Sequence, residues 1–459
     1  MCDVSDVCSV NAQSPRRPSW SRRQATRRRV VVTGMGVMSP LGSTLGAFWS
    51  ALLEGRSGIR ALDLAGPDGS PLAGGRVPES LTSVEDFCPL SEGVGRRLRK
   101  ALKTMNRQTR LGVAAVERAL ADSRIPLAGL DPCRVGVSFG VGHVGLRPED
   151  FRRGVEACRT REGEFDLGAW GEDGLPLVDP LWMLTCMPNL PASYVAILHE
   201  LQGPNNTITL DAAAANIALA GAVSAIAEGD ADVMIAGGCD NYLDPCSLLH
   251  VAGEVDLAPR AADPEDLLCP FDARRSGTVP AEGAAALVVE TAESAAARGA
   301  RVYGEVLGTS TSCVVRRDGT PDGTRAMANA MRGALKAAGG HLSWLGHVHA
   351  HGLSSLSVDH EEARAIREVL GDWADRIPVT AAKSCFGHAG AGSSGLEIVA
   401  SLLALREEAL FPVDNCEHPD AACPISLATE PRPLAGDSFL KLSVTPRGHA
   451  SALVARTAA

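Results

Sequence analysis

The sequence predicts an α/β protein with substantially parallel sheets. Apolar runs of strand length alternate along the chain with longer segments of helical periodicity. Several of these runs end at a glycine, as at Gly142 and Gly352. Strands that alternate with helices in this way indicate βα units packed in layers.

The first part of the chain contains four of the expected strands. Residues 30–40 (VVVTGMGVMSP) form a buried strand that closes on a Gly-rich turn, and a short helix follows at 44–53. A long helical pattern covers residues 96–123 and ends before Ile125-Pro126, where a proline disfavours further helix. An apolar strand follows at 134–142. Two more strands, at 206–211 and 231–238, flank an Ala-rich helix.

The second part repeats a similar rhythm without a recognisable sequence repeat. We expect strands at 284–290, 302–307, 347–351, 377–381, 440–444 and 451–455, and helices at 322–338, 360–370 and 393–408. Residues 62–95 and 144–182 are rich in Gly, Pro and charge, so they are predicted to run over the surface.

Composition excludes several classes of function. The chain has 459 residues and a formal net charge of −10, which argues against nucleic-acid binding. Thirteen dispersed Cys without CxxC pairs are typical of free thiols in a reducing cytoplasm. Cys and His show no metal-ligand spacing, and no uncharged apolar stretch reaches membrane-spanning length. We therefore expect a cytoplasmic protein with no membrane segment and no metal.

The N-terminus differs from the rest. Residues 1–29 hold seven Arg among Ser and Pro and lack an apolar core, so they are not a secretory signal. We predict a disordered basic tail at residues 1–27, or a start codon assigned too early. A transit peptide and an anion-binding arm remain alternatives.

A set of motifs between residues 28 and 456 resembles the β-ketoacyl–acyl-carrier-protein synthases, which have the thiolase fold. The motifs are VVVTGMGVMSPLG (30–42), GPNNTI (203–208), GDADVMIAGG (229–238), CPFDARRSGTVPAEGAAALVVE (269–290), HAHG (349–352) and KSCFGHAGAGSSG (383–395). The resemblance implies a five-layer fold of two duplicated α/β halves, here residues 28–290 and 291–459. It also implies a dimer paired through the strand at 206–211. Its substrates would be acyl chains on the phosphopantetheine of an acyl carrier protein, with no other cofactor.

The nucleophilic Cys of that family is missing. In the family it lies eight residues after the Pro of the Gly-Pro pair and seventeen before the Gly of GDAD. Both counts end at Ala212, and its neighbours Asp211 and Ala213 carry no thiol either. The resemblance therefore implies that an acyl-enzyme cannot form.

Other site residues of the family have matches. His351 and His388 match the imidazoles that bind the thioester oxygen, and Lys383 matches the lysine that orients the site. Glu282 and Glu362 match buried structural acids. His351 could also be an ordinary polar residue at a strand end, and Lys383 could pair with Glu362 or Glu282 to hold the two halves together. His349 and His360 have no motif support and are expected to be structural or exposed.

Three further positions depart from the family or lie beside Ala212. Asp211 is expected to cap the Ala-rich helix, because a carboxylate there is stabilised by the helix dipole. The Thr residues that contact the carrier arm in the family are Leu353 and Ser355 here.

The segment LSVTPRGHASALV (442–454) replaces the Gly-Phe-Gly-Gly loop that closes the site in the family. Pro446 has no N–H to complete an oxyanion hole, and Arg447 cannot imitate a flexible Gly.

Three functions fit this mixture. The lost loop favours a chain-length-factor subunit, which pairs with a Cys-containing synthase. The retained His351, His388 and Lys383 favour a decarboxylase of malonyl-carrier. A thiol-free acyltransferase could use His351 as a general base toward a hydroxyl or amine, and a degenerate homodimer is the remaining alternative. A basic patch at Arg96, Arg97, Arg99 and Lys100 could meet an acidic carrier, or could be a solvated helix face.

Overall fold

The computed structural model describes residues 28–65, 69, 71–144, 146–259 and 263–458. The basic tail predicted at residues 1–27 lies outside these ranges. The strands, in chain order, are β1 Val30–Met38, β2 Ile59–Ala65, β3 Pro71–Gly75, β4 Val135–Val141, β5 Asn205–Thr209, β6 Val233–Asn241, β7 Glu282–Thr291, β8 Gly304–Cys313, β9 Leu345–His349, β10 Val379–Thr380, β11 Ala409–Leu410, β12 Arg432–Pro433, β13 Ser438–Val444 and β14 His449–Arg456.

The α-helices lie between these strands. They are α1 Leu45–Leu53, α2 Glu92–Ala101, α3 Arg107–Ser123, α4 Pro148–Ala157, α5 Trp182–Thr185, α6 Leu190–His199, α7 Ala214–Glu228, α8 Pro245–Glu254, α9 Ala292–Ala297, α10 Gly323–Ala337, α11 Leu356–Leu370, α12 Lys383–Phe386 and α13 Gly390–Arg406.

Ten strands form one sheet whose two ends repeat each other. The order is β10-β9-β13-β14-β8-β1-β7-β6-β4-β5. In one direction from the middle it reads β1-β7-β6-β4-β5, and in the other β8-β14-β13-β9-β10. Both halves have the same sequence of parallel and antiparallel pairs, and they join where Val31 and Val32 pair with Glu305 and Gly304. The predicted duplication is therefore confirmed in the topology.

Helices form three layers around the two half-sheets. α7 and α13 contact strands of both halves and lie between them, whereas α3 and α6 cover the outer face of the first half and α10 and α11 that of the second. The three main apolar clusters lie in the spaces between these layers. α13 is buried along nearly its whole length because it packs against both half-sheets. This is the five-layer α/β arrangement that the resemblance implies.

The prediction of one continuous helix at 96–123 was wrong. The chain forms α2 and α3 instead, because Asn106 begins a new helix by accepting a hydrogen bond from the Thr109 N–H at 2.8 Å. The segments predicted as surface excursions also contain structure, namely the β2–β3 hairpin and α4. Among the described residues, no helix is both long and apolar enough to cross a membrane.

Candidate active site

His351 follows β9, and a buried carboxylate holds its backbone in place. The N–H groups of His351 and Gly352 donate to Glu362 on α11 at 2.5 and 2.8 Å. Gly352 has φ +51°, a left-handed conformation that costs least at Gly. Burial raises the pKa of Glu362 to about 7, against the stabilising effect of these two N–H groups. Glu362 thus fixes the turn that carries His351.

Lys383 orients the His351 side chain. Its Nζ donates to the His351 carbonyl oxygen at 2.6 Å and lies 3.1 Å from His351 Nδ1. An ammonium group can only donate, so Nδ1 accepts and the ring proton is on Nε2. His351 therefore presents an N–H donor on the side of the ring away from Lys383.

The partner of Lys383 is Glu397, on α13. Glu397 forms ion pairs with Lys383 and with Lys441, the latter at 2.8 Å, and all three side chains are fully buried. The alternative that Lys383 pairs with Glu362 or Glu282 was wrong. Sequence reasoning missed Glu397 and Lys441, although an acid within the apolar stretch of α13 was a visible signal.

His388 faces His351. Hydrogen bonds join its backbone to the segment just before β7. Its N–H donates to the Val279 carbonyl at 2.8 Å, and its carbonyl accepts from the Ala281 N–H at 2.9 Å. The rings of His351 and His388 are 5.9 Å apart at 88°. Burial, followed by the nearby Lys383 charge, lowers the pKa of both histidines well below the usual value. Both imidazoles are therefore neutral at physiological pH.

Ala212 lies in the 3-10 turn Asp211–Ala213 that leads into α7, and it is buried. Neither this turn nor α7 has a side-chain cap. The Asp211 carboxylate instead accepts a hydrogen bond from the Tyr242 hydroxyl. The predicted helix-capping role of Asp211 is thus corrected: its main contact is a phenol, with the Ala212 N–H as a weaker one.

Glu282 lies at the start of β7, away from Lys383. It accepts from Arg107 on α3 at 2.7 and 3.0 Å and from the Val77 N–H at 3.0 Å. Its contacts are those of an acid that joins three segments of the first half.

The two histidines open into a cavity of about 390 Å³. Leu353, Ser355, Thr445 and Pro446 also line it. Ser355, the predicted contact for the carrier arm, therefore shares one cavity with His351 and His388.

The other histidines of the HAHG region lie elsewhere. His349 is buried, with its Nδ1 2.8 Å from Ser401 Oγ, and His360 is exposed. The suggested basic patch is largely neutralised, since Arg96, Arg97 and Arg99 face Glu92, Glu200 and Glu85.

Comparison with known proteins decides the family. The model of the β-ketoacyl synthase N-terminal domain matches residues 27–295, and that of the C-terminal domain matches residues 303–417. The chain belongs to the β-ketoacyl synthase family.

Individual β-ketoacyl synthases are similar over nearly the whole chain. A 3-oxoacyl-[acyl-carrier-protein] synthase 2 of Synechocystis is 32% identical over 92% of this chain and 96% of its own length. The actinorhodin polyketide putative β-ketoacyl synthase 1 of Streptomyces coelicolor is 33% identical, over 94% and 89%.

Solved structures agree in fold. The structure of a type II polyketide synthase acyl-carrier protein in complex with its ketosynthase (AntDE:AntF) matches with a TM-score of 0.77 and 28% identity, over 94% of this chain and 100% of that chain. The ishigamide ketosynthase/chain length factor matches with a TM-score of 0.78 and 25% identity, with the same coverage.

The loop between β13 and β14 borders the cavity of this β-ketoacyl synthase family member. Arg447 pairs with Glu254 at the end of α8, 2.7 Å away, and Pro446 lines the cavity. A side chain therefore ties the loop to α8, and at Pro446 the loop offers no N–H.

Proposed function

We propose that this chain is the Cys-free subunit of a type II polyketide or fatty-acid system and acts as the chain-length-factor partner of a Cys-containing β-ketoacyl synthase. The observation that carries the proposal is Ala212, buried at the start of α7 where the counts from two motifs place the nucleophile. A methyl group cannot accept an acyl chain, so another subunit must supply the thiol.

The loop between β13 and β14 supports the same conclusion. Pro446 has no backbone N–H to complete an oxyanion hole, and Arg447, paired with Glu254, replaces the flexible Gly of the family's loop. A subunit that shapes a tunnel in its partner does not need such an N–H donor.

The surface of the first half supports a second subunit. β5 is the edge strand of the sheet, and its side chains are exposed or half-buried. Nearby in sequence, the segment 146–184 exposes several large apolar side chains, including Leu167 at 74% and Met183 at 58%. An open edge and exposed apolar surface are features that a partner chain covers.

The other parts of the proposal follow from the relatives. An acyl carrier protein is bound to the ketosynthase in one structural neighbour, and we propose that this chain also meets a carrier. The acyl groups arrive on phosphopantetheine, the chain holds no cofactor of its own, and the pair works in the cytoplasm.

Co-expression with a Cys-containing β-ketoacyl synthase from the same gene neighbourhood tests the proposal. We expect the two chains to co-purify as a one-to-one dimer by native mass spectrometry. A stable homodimer of this chain that does not form a heterodimer with any such synthase would contradict the partner role.

A second function, malonyl-carrier decarboxylation, is favoured by the intact histidine pair. Loss of CO2 leaves the electron pair of the broken C–C bond as an enolate of the thioester. The Nε2–H of His351 and an N–H of the neutral His388 could stabilise its oxygen before solvent protonates the carbon.

Intact mass spectrometry of malonyl-carrier incubated with the chain alone tests this second function. We expect acetyl-carrier to appear, and His351→Ala to slow its formation by about 10²–10³-fold. Conversion that is unchanged in His351→Ala would exclude this role for the histidine.

A further inference from the structure

A second cavity of about 490 Å³ lies beside the vacant nucleophile position. It is lined by Asp211, Tyr242, His143, His250 and Glu254, of which only Glu254 also lines the first cavity. Neither the partner role nor decarboxylation uses the other four.

Asp211 and Tyr242 form the centre of this group. The Tyr242 hydroxyl donates to the Asp211 carboxylate; the tyrosine is buried and the aspartate is half-buried. Asp211 has φ +48°, so its side chain leaves the start of α7 in an unusual direction. The Tyr242 ring meets His388 edge-on, with ring centroids 5.1 Å apart. The carboxylate is therefore linked through one ring to the candidate thioester site.

The two cavities meet. His388, Thr445 and Pro446 line both of them. Consider a thioester whose carbonyl is held between His351 and His388. Its carrier arm would lie in the first cavity, and the face of its carbonyl group that the histidines leave open would point toward the second. A nucleophile in the second cavity could then approach the carbonyl from the side of Asp211.

The surroundings of Asp211 favour a base. Burial raises the pKa of Asp211, while Tyr242, His250 and the Ala212 N–H act in the opposite direction. Burial, followed by the nearby Asp211 charge, raises the pKa of Asp240, and Arg447 pairs with Glu254. Burial also lowers the pKa of His143, which stacks on His250 with ring centroids 4.5 Å apart. A carboxylate with a raised pKa takes up a proton more readily than an exposed one.

We propose that Asp211 is a general base that lets an oxygen nucleophile, water or the hydroxyl of a small alcohol, attack the carrier-bound thioester directly. The oxygen forms a bond to the carbonyl carbon as its proton passes to Asp211. The C–S bond then breaks, and the proton returns from Asp211 to the pantetheine thiolate. The products are a carboxylic acid or an ester and the free carrier thiol.

This inference rests on one part of the proposed function, namely that an acyl carrier delivers its arm to His351 and His388. It does not require a partner subunit. Carrier binding is therefore measured separately, by co-elution of the chain with the carrier. A carrier that does not bind would overturn that part of the proposed function together with this inference, whereas a carrier that binds without losing its acyl group would overturn this inference alone.

The experiment uses the full chain with butyryl-carrier, in buffer alone and with added glycerol. Intact mass spectrometry follows the free-thiol carrier, and product analysis separates butyrate from glyceryl butyrate. We expect release of the thiol at least about tenfold above the rate without protein. Butyrate alone would identify water as the nucleophile, and the ester would identify an alcohol. No release in either arm would overturn the proposal.

Asp211→Asn is the decisive variant, because it keeps the size of the side chain and removes the base. We expect about a 10²-fold loss of release at pH 7.5, at the low end of general-base effects. The wild-type rate should rise with pH through the pKa of Asp211, and the residual rate of the variant should not.

Glu228→Gln, an exposed change at the other end of α7, is the matched control and should keep the wild-type rate. Thermal unfolding shows whether each variant folds. Should Asp211→Asn fail to fold, Asp211→Glu and the wild-type pH profile take its place: a wild-type rate that does not fall as Asp211 is protonated at low pH would contradict the proposal. A folded Asp211→Asn protein with the wild-type rate would do the same.

Discussion

The residue that defines this chain is Ala212, whose surroundings still resemble a nucleophile site. It lies just before α7, and the two histidines still face each other, with Lys383 orienting His351. A helix N-terminus favours a thiolate. A thiol at position 212 would therefore stand where the motif spacing of the family places the nucleophile.

Ala212→Cys should accordingly restore acyl transfer to the protein. We expect the variant to gain the mass of one acyl group after incubation with acyl-carrier. Ala213→Cys, equally buried one residue later, is the control and should remain unmodified. A folded Ala212→Cys protein that stays unacylated would show that more than the thiol has been lost.

Glu397 balances two buried ammonium groups, Lys383 and Lys441. Glu397→Gln leaves both without a counter-charge, so we expect a loss of about 3–5 kcal/mol in the free energy of unfolding by urea titration. The comparison is Arg447→Ala, which breaks an ion pair whose Arg side chain is 72% exposed and should cost less than about 1 kcal/mol. Similar costs for the two variants would contradict this account of the buried cluster.

His347 gives a pH-dependent contribution to stability. Burial lowers its pKa to about 3. In the unfolded chain this imidazole therefore binds a proton as pH falls through about 6.5, whereas in the folded chain it stays neutral. The free energy of unfolding therefore decreases as pH falls below that value.

Between pH 7.5 and 5.5 this single group should remove about 1.4 kcal/mol. We expect wild type to lose that much more stability over the interval than His347→Asn does, measured by urea unfolding at both pH values. His341→Gln, at an exposed position, is the control. Equal slopes for wild type and His347→Asn would show that the buried imidazole has no such effect.

At the scale of elements, β5 is where a second subunit should attach. The Thr207 N–H bonds to the side chain of Asn206 at 2.9 Å, so it is not needed for pairing with β4. Thr207→Pro removes this N–H from the free edge.

We expect Thr207→Pro to weaken dimer formation at least about tenfold while the monomer stays folded. Light scattering after size exclusion measures the mass, and circular dichroism the fold. Thr207→Ala should assemble like wild type. A Thr207→Pro protein that remains fully dimeric would move the interface away from β5.

The strands of the sheet could be predicted because they are apolar runs bounded by glycines. The break between α2 and α3 could not, since apolar residues such as Leu102 and Met105 continue the helical pattern across it. His351, His388 and Lys383 were found because they lie in compact motifs. The acid in the apolar stretch of α13 marks Glu397 as unusual. Its pairing with Lys383 and the Asp211–Tyr242 pair could not be predicted, because those contacts join elements that sequence spacing does not bring together.

At the scale of the whole molecule, the duplicated topology explains how the residue at position 212 can change while the fold is kept. The vacant position belongs to the first half, at α7, whereas His351, Lys383, His388 and Lys441 come from the second. α7 and α13 lie between the two half-sheets. The packing of these layers, rather than the residue at position 212, therefore holds the site together.

The most direct test of the partner role is chain extension followed by intact mass spectrometry of the carrier. Malonyl-carrier and a short acyl-carrier are incubated with this chain alone, with a Cys-containing β-ketoacyl synthase alone, and with both. We predict no β-ketoacyl product from this chain alone, and longer products from the pair than from the Cys-containing synthase alone. Extension by this chain alone, or a pair whose products match those of the synthase alone, would contradict the account.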